Sequence, residues 1–283
     1  MNLKRTISVM GLITLVALLV LGAGCAGDGQ GNGGNGNNGE VADVTSMMEK
    51  VSKDTTEFIF IDVKALRGDD DLGGLLQDLQ DSLEGLLEVM GTDLGNINAL
   101  ASAEDVSLFD GGFDFDDIRD ELNSQGFDED EYEGVEVWES PYGGWVALVE
   151  NLIIMGHQDG VKDCVDVVGG TEGSLGDTRD AEDIMDRLPS GISAGFYIGD
   201  TIAVVDSEYQ YLEASGWSFT KIDEDTLVMT TVLRFDNEDA AEDAIAEVEE
   251  DFEEKEFKHL DFDQDEEFVK LTAEIDIDDF RQL

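Results

Sequence analysis

The segment VKLTAEIDID, residues 269–278, decides the fold class of this chain. Apolar side chains alternate strictly with polar or charged ones along it, and the apolar set is Val269, Leu271, Ala273, Ile275 and Ile277. A period of two predicts a strand with one buried face and one wet face, which is typical of antiparallel sheets. The polar positions include Glu274, Asp276 and Asp278, so we expect the wet face to be acidic.

Further strands are predicted upstream of this segment, several of them in hairpin runs. They cover residues 58–63, 103–109, 135–139, 145–149, 152–157, 192–198, 201–205, 217–222 and 226–235. Apolar residues spaced three and four apart predict helices between the strands. These helices cover residues 72–87, 115–122, 161–168, 181–188 and 241–252.

The order of these elements predicts an α+β fold, with one or more antiparallel sheets and helices packed on one face. Residues 103–168 read as strand, helix, three strands and helix, and residues 217–277 read as two strands, helix and two strands. We therefore expect an α+β domain or half over residues 43–190 and a second over 191–283, with two similar halves as an open interpretation.

The N-terminal residues 1–24 have the anatomy of an export signal. Lys4 and Arg5 precede an apolar run, and the small residues 22–24 end it directly before Cys25. This order resembles the lipobox of prokaryotic lipoproteins, although the position three before the cysteine, usually Leu, Val or Ile, is Gly22 here. The resemblance implies that Cys25 is lipidated and that the signal is removed. An uncleaved membrane anchor and secretion without lipid are the alternatives.

Residues 25–42 are expected to form a lipidated cysteine followed by a flexible linker. Gly, Asn, Asp and Gln dominate residues 26–40, and such a composition offers little apolar surface to bury. A coil of this length spans on the order of 20 Å. The resemblance therefore implies an extracytoplasmic domain at the cell envelope, tethered to the membrane through its N-terminal lipid.

Charge excludes several classes of partner. The chain has 68 acidic and 16 basic residues, for a formal net charge of −52. Binding to nucleic acid or to anionic lipid requires a basic surface, so neither is expected. The acids are dispersed, which is typical of a halophilic, solvated surface, and divalent-cation binding is the alternative.

Clusters of carboxylates are the candidate cation sites, because calcium prefers hard oxygen ligands. The candidates are Asp69, Asp70, Asp71, Asp128 and Asp130. None of the clusters has the spacing of an EF-hand loop, so the identity of a bound metal stays open. We expect no cofactor apart from a possible calcium ion.

Aromatic side chains around the segment 138–145 are candidates for stacking on a ligand. Trp138, Tyr142 and Trp145 flank a turn that contains proline and glycine. The alternative interpretation is that Trp138 and Trp145 pair across a hairpin and stabilise the sheet.

No catalytic constellation is visible in the sequence, so we do not expect an enzyme. Cys164 lies on a predicted apolar helix face, which favours a buried thiol over a nucleophile. The first hypothesis is a non-enzymatic lipoprotein that binds or scaffolds a protein or small molecule. The second is a solute- or cation-binding receptor, and the third is an extracytoplasmic hydrolase that uses carboxylates.

Overall fold

The computed structural model describes residues 43–199, 211–253 and 257–281. Several predictions fall outside these ranges and stay predictions: the export signal, Cys25, the linker and the strand over residues 201–205. Within them the chain forms a mixed α/β structure of 12 strands and eight α-helices, which confirms the coarse fold class.

The strands are β1 Glu57–Ile61, β2 Ile97–Ala103, β3 Val106–Gly111, β4 Asp128–Tyr132, β5 Val135–Glu139, β6 Trp145–Val149, β7 Leu152–Gly156, β8 Ser193–Ile198, β9 Leu212–Lys221, β10 Thr226–Phe235, β11 Lys258–Asp265 and β12 Phe268–Asp276. The helices are α1 Val44–Met48, α2 Val63–Gly68, α3 Gly73–Val89, α4 Phe115–Ser124, α5 Gln158–Val168, α6 Arg179–Met185, α7 Glu238–Glu253 and α8 Ile277–Phe280.

Helix α3 follows the predicted leucine stripe. Its buried residues are Leu75, Leu79, Leu83 and Leu87, which share one side of the helix. Gly91, two residues beyond the helix, has a φ of +60°, a conformation that glycine adopts without a steric penalty. The sequence therefore places both the buried face and the end of this helix.

The first compact unit contains residues 56–59 and the described residues from Asp177 onward. Its strands follow the order β11-β12-β10-β9-β8, and each of these neighbouring pairs is antiparallel. In β12 the side chains of Val269, Leu271, Ala273 and Ile275 are buried, while Lys270 is exposed. The half-buried antiparallel strand predicted from the period of two is confirmed up to Asp276, but its predicted continuation is wrong, because Ile277 and Asp278 begin α8.

The second compact unit contains residues 43–55 and 60–176. Its strand order is β2-β3-β7-β6-β5-β4, again with antiparallel neighbours. The described residues from Asp177 to Ser190 therefore belong to the first unit. The division into residues 43–190 and 191–283 stays a prediction.

Helices cover both faces of the sheet in the first unit, so the expectation of packing on one face is wrong there. A Cβ atom placed on Gly216 would lie 2.2 Å from the side chain of Ile184, at the end of α6. The ring of Phe219 lies 4.8 Å from the ring of Phe280 on α8. Residues three apart in a regular strand point to opposite faces, so α6 and α8 lie on opposite sides.

The second unit departs from the expectation in the same way. Lys162 on α5 lies over the ring of Trp145, which is opposite Glu139 in the register of β5 and β6. Glu136, three residues before Glu139, therefore lies on the other face, where Arg119 of α4 binds it. In each unit both faces of the sheet carry apolar residues, so helices pack against both faces.

One predicted strand is in fact a hairpin. The prediction over residues 103–109 runs through a tight turn, because Ala103 pairs with Val106 and Glu104 adopts a φ of +45°. Strands β2 and β3 therefore meet at residues 104 and 105. Strand β4, whose sequence is DEDEY, carries no apolar alternation and could not be predicted from hydrophobicity.

Candidate functional site

The predicted cation ligands lie on two separate elements of the second unit. Asp69 precedes a short 3₁₀ turn, and its side chain accepts a hydrogen bond of 3.0 Å from the backbone N–H of Asp71. Asp128 and Asp130 are exposed on β4, where Asp130 Oδ1 accepts a 2.8 Å hydrogen bond from the N–H of Glu131.

The described residues contain no group of three or more His, Cys, Asp or Glu side chains arranged to hold a metal ion. The structure therefore does not bring the predicted aspartates together with further acidic ligands. A calcium site in them stays a prediction.

A different set of carboxylates interacts around Asp163 on α5. Asp163 is exposed, but partial desolvation raises its pKa, and the charges of Glu172, Asp159, Asp166 and Asp54 raise it further. Asp159, Asp163 and Asp166 are spaced four and three residues apart, so the sequence alone predicts that they share one side of the helix. Glu172 follows the helix by four residues, whereas Asp54 comes from a distant segment and could not have been assigned without the tertiary structure.

The three predicted stacking residues do not share one surface. Trp138 is only 1% exposed and Trp145 only 7%, whereas Tyr142, at the tip of the β5–β6 hairpin, is 73% exposed. Trp138 is opposite Val146 in the register, so Trp138 and Trp145 point to opposite faces of the sheet. The alternative of a cross-strand Trp138–Trp145 pair is wrong for the same reason.

Each buried tryptophan has its own polar contact. Trp138 Nε1 donates a 2.9 Å hydrogen bond to Glu136 Oε1. The ammonium of Lys162 lies 5.0 Å from the ring centroids of both Tyr132 and Trp145, which favours attraction between the cation and the rings. The Lys162 contacts join α5 to the sheet, and they place a cation over the rings of Tyr132 and Trp145.

Tyr132 also has an acidic partner on α5. Its hydroxyl donates a 2.9 Å hydrogen bond to Asp166 Oδ2. That hydrogen bond raises the pKa of Tyr132, because the neighbouring carboxylate favours the neutral phenol. The aromatic residue is therefore fixed by two charged groups of one helix.

A buried polar cluster surrounds Asp110 on β3, and the sequence did not point to it. Asp110 is 3% exposed, and its Oδ1 accepts a hydrogen bond from Asn151 Nδ2. Burial raises the pKa of Asp110, while Lys50 and the carboxamides of Asn151 and Asn98 act in the opposite direction. A buried carboxylate among amides is the kind of group that titrates outside its usual range.

Cys164 behaves as predicted for a buried thiol. It is 1% exposed, and burial raises its pKa to about 12. The thiolate is the nucleophilic form of cysteine, so this environment makes Cys164 unreactive. The prediction of a small buried hydrophobe is confirmed.

The membrane-related predictions rest on residues outside the described ranges. Within those ranges, no helix combines the length and apolarity required to cross a bilayer.

Comparison with known proteins finds a distant relative. The chain is 28% identical over 177 residues to an uncharacterized protein of Methanocaldococcus jannaschii, and the alignment covers 61% of this chain and 58% of the relative. No family model and no solved structure matches the chain.

Proposed function

We propose that this chain is a lipid-anchored extracytoplasmic protein whose folded part binds or scaffolds a partner at the cell envelope. One observation carries the proposal: a basic start, an apolar run, three small residues and Cys25 occur in that order. The Gly- and Asn-rich residues that follow support it, since they would give the folded part reach above a membrane surface.

The described surface offers two features that bear on partner binding, an acidic edge strand and an exposed tyrosine. Strand β4 is the last strand in the order of its unit, and its four acidic residues are exposed. Charges along a short edge strand oppose pairing with a second sheet. Tyr142 lies at the tip of the β5–β6 hairpin, and β5 is the strand that pairs with β4. Its side chain is 73% exposed and offers an aromatic contact for a partner.

Replacing Cys25 with serine tests the anchor. The full chain is expressed in a prokaryotic host, the membrane and soluble extracytoplasmic fractions are separated, and the mass of the N-terminal peptide is measured. We expect a lipid-modified peptide starting at Cys25 in the wild type and loss of that modification in the variant. Cys164→Ala is the matched control, since it removes the other cysteine of the chain and leaves Cys25 in place.

Two results would contradict lipidation. An unmodified chain that keeps residues 1–24 and stays in the membrane would indicate an uncleaved anchor. A shortened, unmodified and soluble wild-type chain would indicate simple secretion.

A divalent-cation receptor is the second candidate: the carboxylates around Asp163 repel one another, although the described residues contain no ready-made metal site. Calcium relieves repulsion among such groups if it binds them specifically. We therefore compare thermal unfolding of the full chain in detergent with CaCl2 and with NaCl at matched ionic strength. A thermal midpoint that rises at micromolar calcium in the wild type but not in Asp163→Asn supports the receptor. Equal shifts of the midpoint in the two salts contradict it.

The folded part is also proposed to consist of two similar halves. In the first unit, hairpin β9–β10 precedes α7 and the strands β11 and β12, and β12 pairs with β10. In the second, hairpin β2–β3 precedes α4 and strands β4 to β7, and β7 pairs with β3. Experimental coordinates in which these two segments fail to superpose would contradict the proposal.

A further inference from the structure

Asp110 is a buried acid that no part of the proposed function uses. It lies on β3, opposite Ala99 of β2 and Leu152 of β7, within the second unit. Its Oδ2 atom is buried and has no hydrogen-bond partner. An unsatisfied oxygen on a charged carboxylate in such a place is unfavourable, because no hydrogen bond offsets its loss of contact with water.

Two irregularities of the sheet bring carboxamides to this acid. The register of β2 shifts between Ile97 and Ala99, so Asn98 is an extra residue in a β-bulge beside Asp110. Asn151 lies in the tight turn between β6 and β7, next to Glu150 with its φ of +52°. A bulge redirects a side chain, and the Asn98 carboxamide is among the groups that lower the pKa of Asp110.

The charged surroundings of Asp110 are sparse. Lys50, just after α1, is the charged group that acts on it, and the Lys50 ammonium itself donates a 2.6 Å hydrogen bond to the backbone oxygen of Ser46. Helix α5 packs near the other end of β3, where a Cβ atom on Gly160 would lie 3.5 Å from that of Val106. The charged side chains of α5 are Asp159, Lys162, Asp163 and Asp166, and none is among the groups that shift Asp110.

We propose that Asp110 is a proton-binding switch of the second unit, in which Oδ2 takes a proton from solvent and the carboxamide of Asn98 rotates to accept it. A carboxamide presents an N–H donor on one side and an oxygen acceptor on the other. In the ionised state Asn151 donates to Oδ1, the Asn98 carboxamide favours the charged form, and Oδ2 has no hydrogen-bond partner. In the protonated state a half-turn of the Asn98 amide supplies the acceptor that Oδ2–H requires.

The direction of the pH effect follows from burial. Because burial raises the pKa of Asp110 in the folded protein, the folded chain binds this proton more tightly than the unfolded chain. The resulting stabilisation is fully present below the ordinary aspartate pKa and is lost as pH rises through the folded pKa. Asp110→Asn cannot ionise at this position, so its stability relative to the wild type is expected to increase as pH increases.

The wild-type protein provides the first test. The full chain in detergent is labelled with ¹³C at the aspartate side-chain carboxyl carbon, and its NMR signals are followed from about pH 3 to pH 8. The signal missing in Asp110→Asn identifies Asp110. We expect it to titrate at higher pH than the bulk of the aspartate signals, and titration together with them would overturn the proposal.

Variants provide the second test. The thermal midpoint of Asp110→Asn relative to wild type is expected to rise with pH, whereas Asp128→Asn, which removes the same charge from an exposed site, should show a far weaker trend. Lys50→Met should move the Asp110 titration to still higher pH, and this shift also identifies the signal if Asp110→Asn does not fold. An unchanged titration in Lys50→Met would overturn the proposed cluster.

Discussion

Arg119 on α4 holds Glu136 on β5 through two parallel hydrogen bonds. The Nε–Oε1 distance is 2.9 Å and the Nη2–Oε2 distance is 2.8 Å. The same carboxylate also accepts the hydrogen bond from the Trp138 indole. In a chain with only 16 basic residues, this two-pronged ion pair fixes one helix on the sheet with a single cation.

Glu136→Gln is expected to lower the free energy of unfolding by about 1–2 kcal/mol at neutral pH, because it removes the charge from a partly buried pair. Arg119 lowers the pKa of Glu136, so its stabilisation is present above the unfolded pKa and is lost as pH falls through the folded pKa. Urea denaturation at neutral and acidic pH measures both effects.

Arg179→Gln is the matched control for that prediction. Arg179 forms a helical pair with Asp183 but its side chain is 85% exposed, so its loss should cost no more than about 0.5 kcal/mol. Equal losses in Glu136→Gln and Arg179→Gln would show that the Arg119–Glu136 pair has no special role.

Trp138 and Tyr142 are close in sequence and should differ widely in their contribution to stability. Trp138→Ala removes a side chain that is 1% exposed and should cost about 3–5 kcal/mol. Tyr142→Ala removes a side chain that is 73% exposed and should change stability by less than about 0.5 kcal/mol. Chemical denaturation measures both, and a large loss in Tyr142→Ala would contradict the exposed position.

Asp163→Asn is expected to raise the thermal midpoint at neutral pH and low salt. Asp163 is exposed, but partial desolvation and the neighbouring carboxylates raise its pKa, so its ionised form is unfavourable in the fold and the penalty grows as pH rises. At about 1 M NaCl the Debye length is about 3 Å, and the gain should shrink. Asp81→Asn, an exposed carboxylate on α3, serves as the control for net charge. A gain independent of salt would point to burial alone.

Two glycine-to-alanine changes should have opposite signs. In Gly216→Ala the new Cβ would lie 2.2 Å from Ile184, so repacking should cost about 1–3 kcal/mol. In Gly85→Ala, on the exposed side of α3, no atom lies within 4 Å, and the lower unfolded-state entropy should stabilise by about 0.5–1 kcal/mol. Thermal unfolding of the two variants separates these effects, and destabilisation by Gly85→Ala would contradict the open surface.

Local pattern was enough to predict most elements of the fold. The leucine stripe of α3 and the alternation in β12 give their buried faces directly, because side-chain period depends only on local backbone geometry. The strands β5, β6 and β10 were predicted with their observed bounds. Strand β4 was missed because four of its five residues are acidic and exposed, so no apolar period marks it.

The candidate sites were predictable only where they depend on adjacent residues. The burial of Cys164 followed from its helical neighbours. The separation of Trp138 from Trp145 depended on strand register, since a shift of one residue would exchange the two faces. The cluster at Asp110 joins β2, β3, a turn and the segment after α1, and no spacing in the sequence relates those segments.

By itself, then, the sequence determined the mixed α/β class, the acidic wet face of β12 and the order of residues that favours a lipid anchor. Each depends on neighbours along the chain. The tertiary structure alone decided that helices cover both sheet faces, that five carboxylates interact around Asp163 and that Asn98 reaches Asp110. These features depend on contacts between distant segments, where strand pairing and burial, rather than local propensity, set which side chains meet.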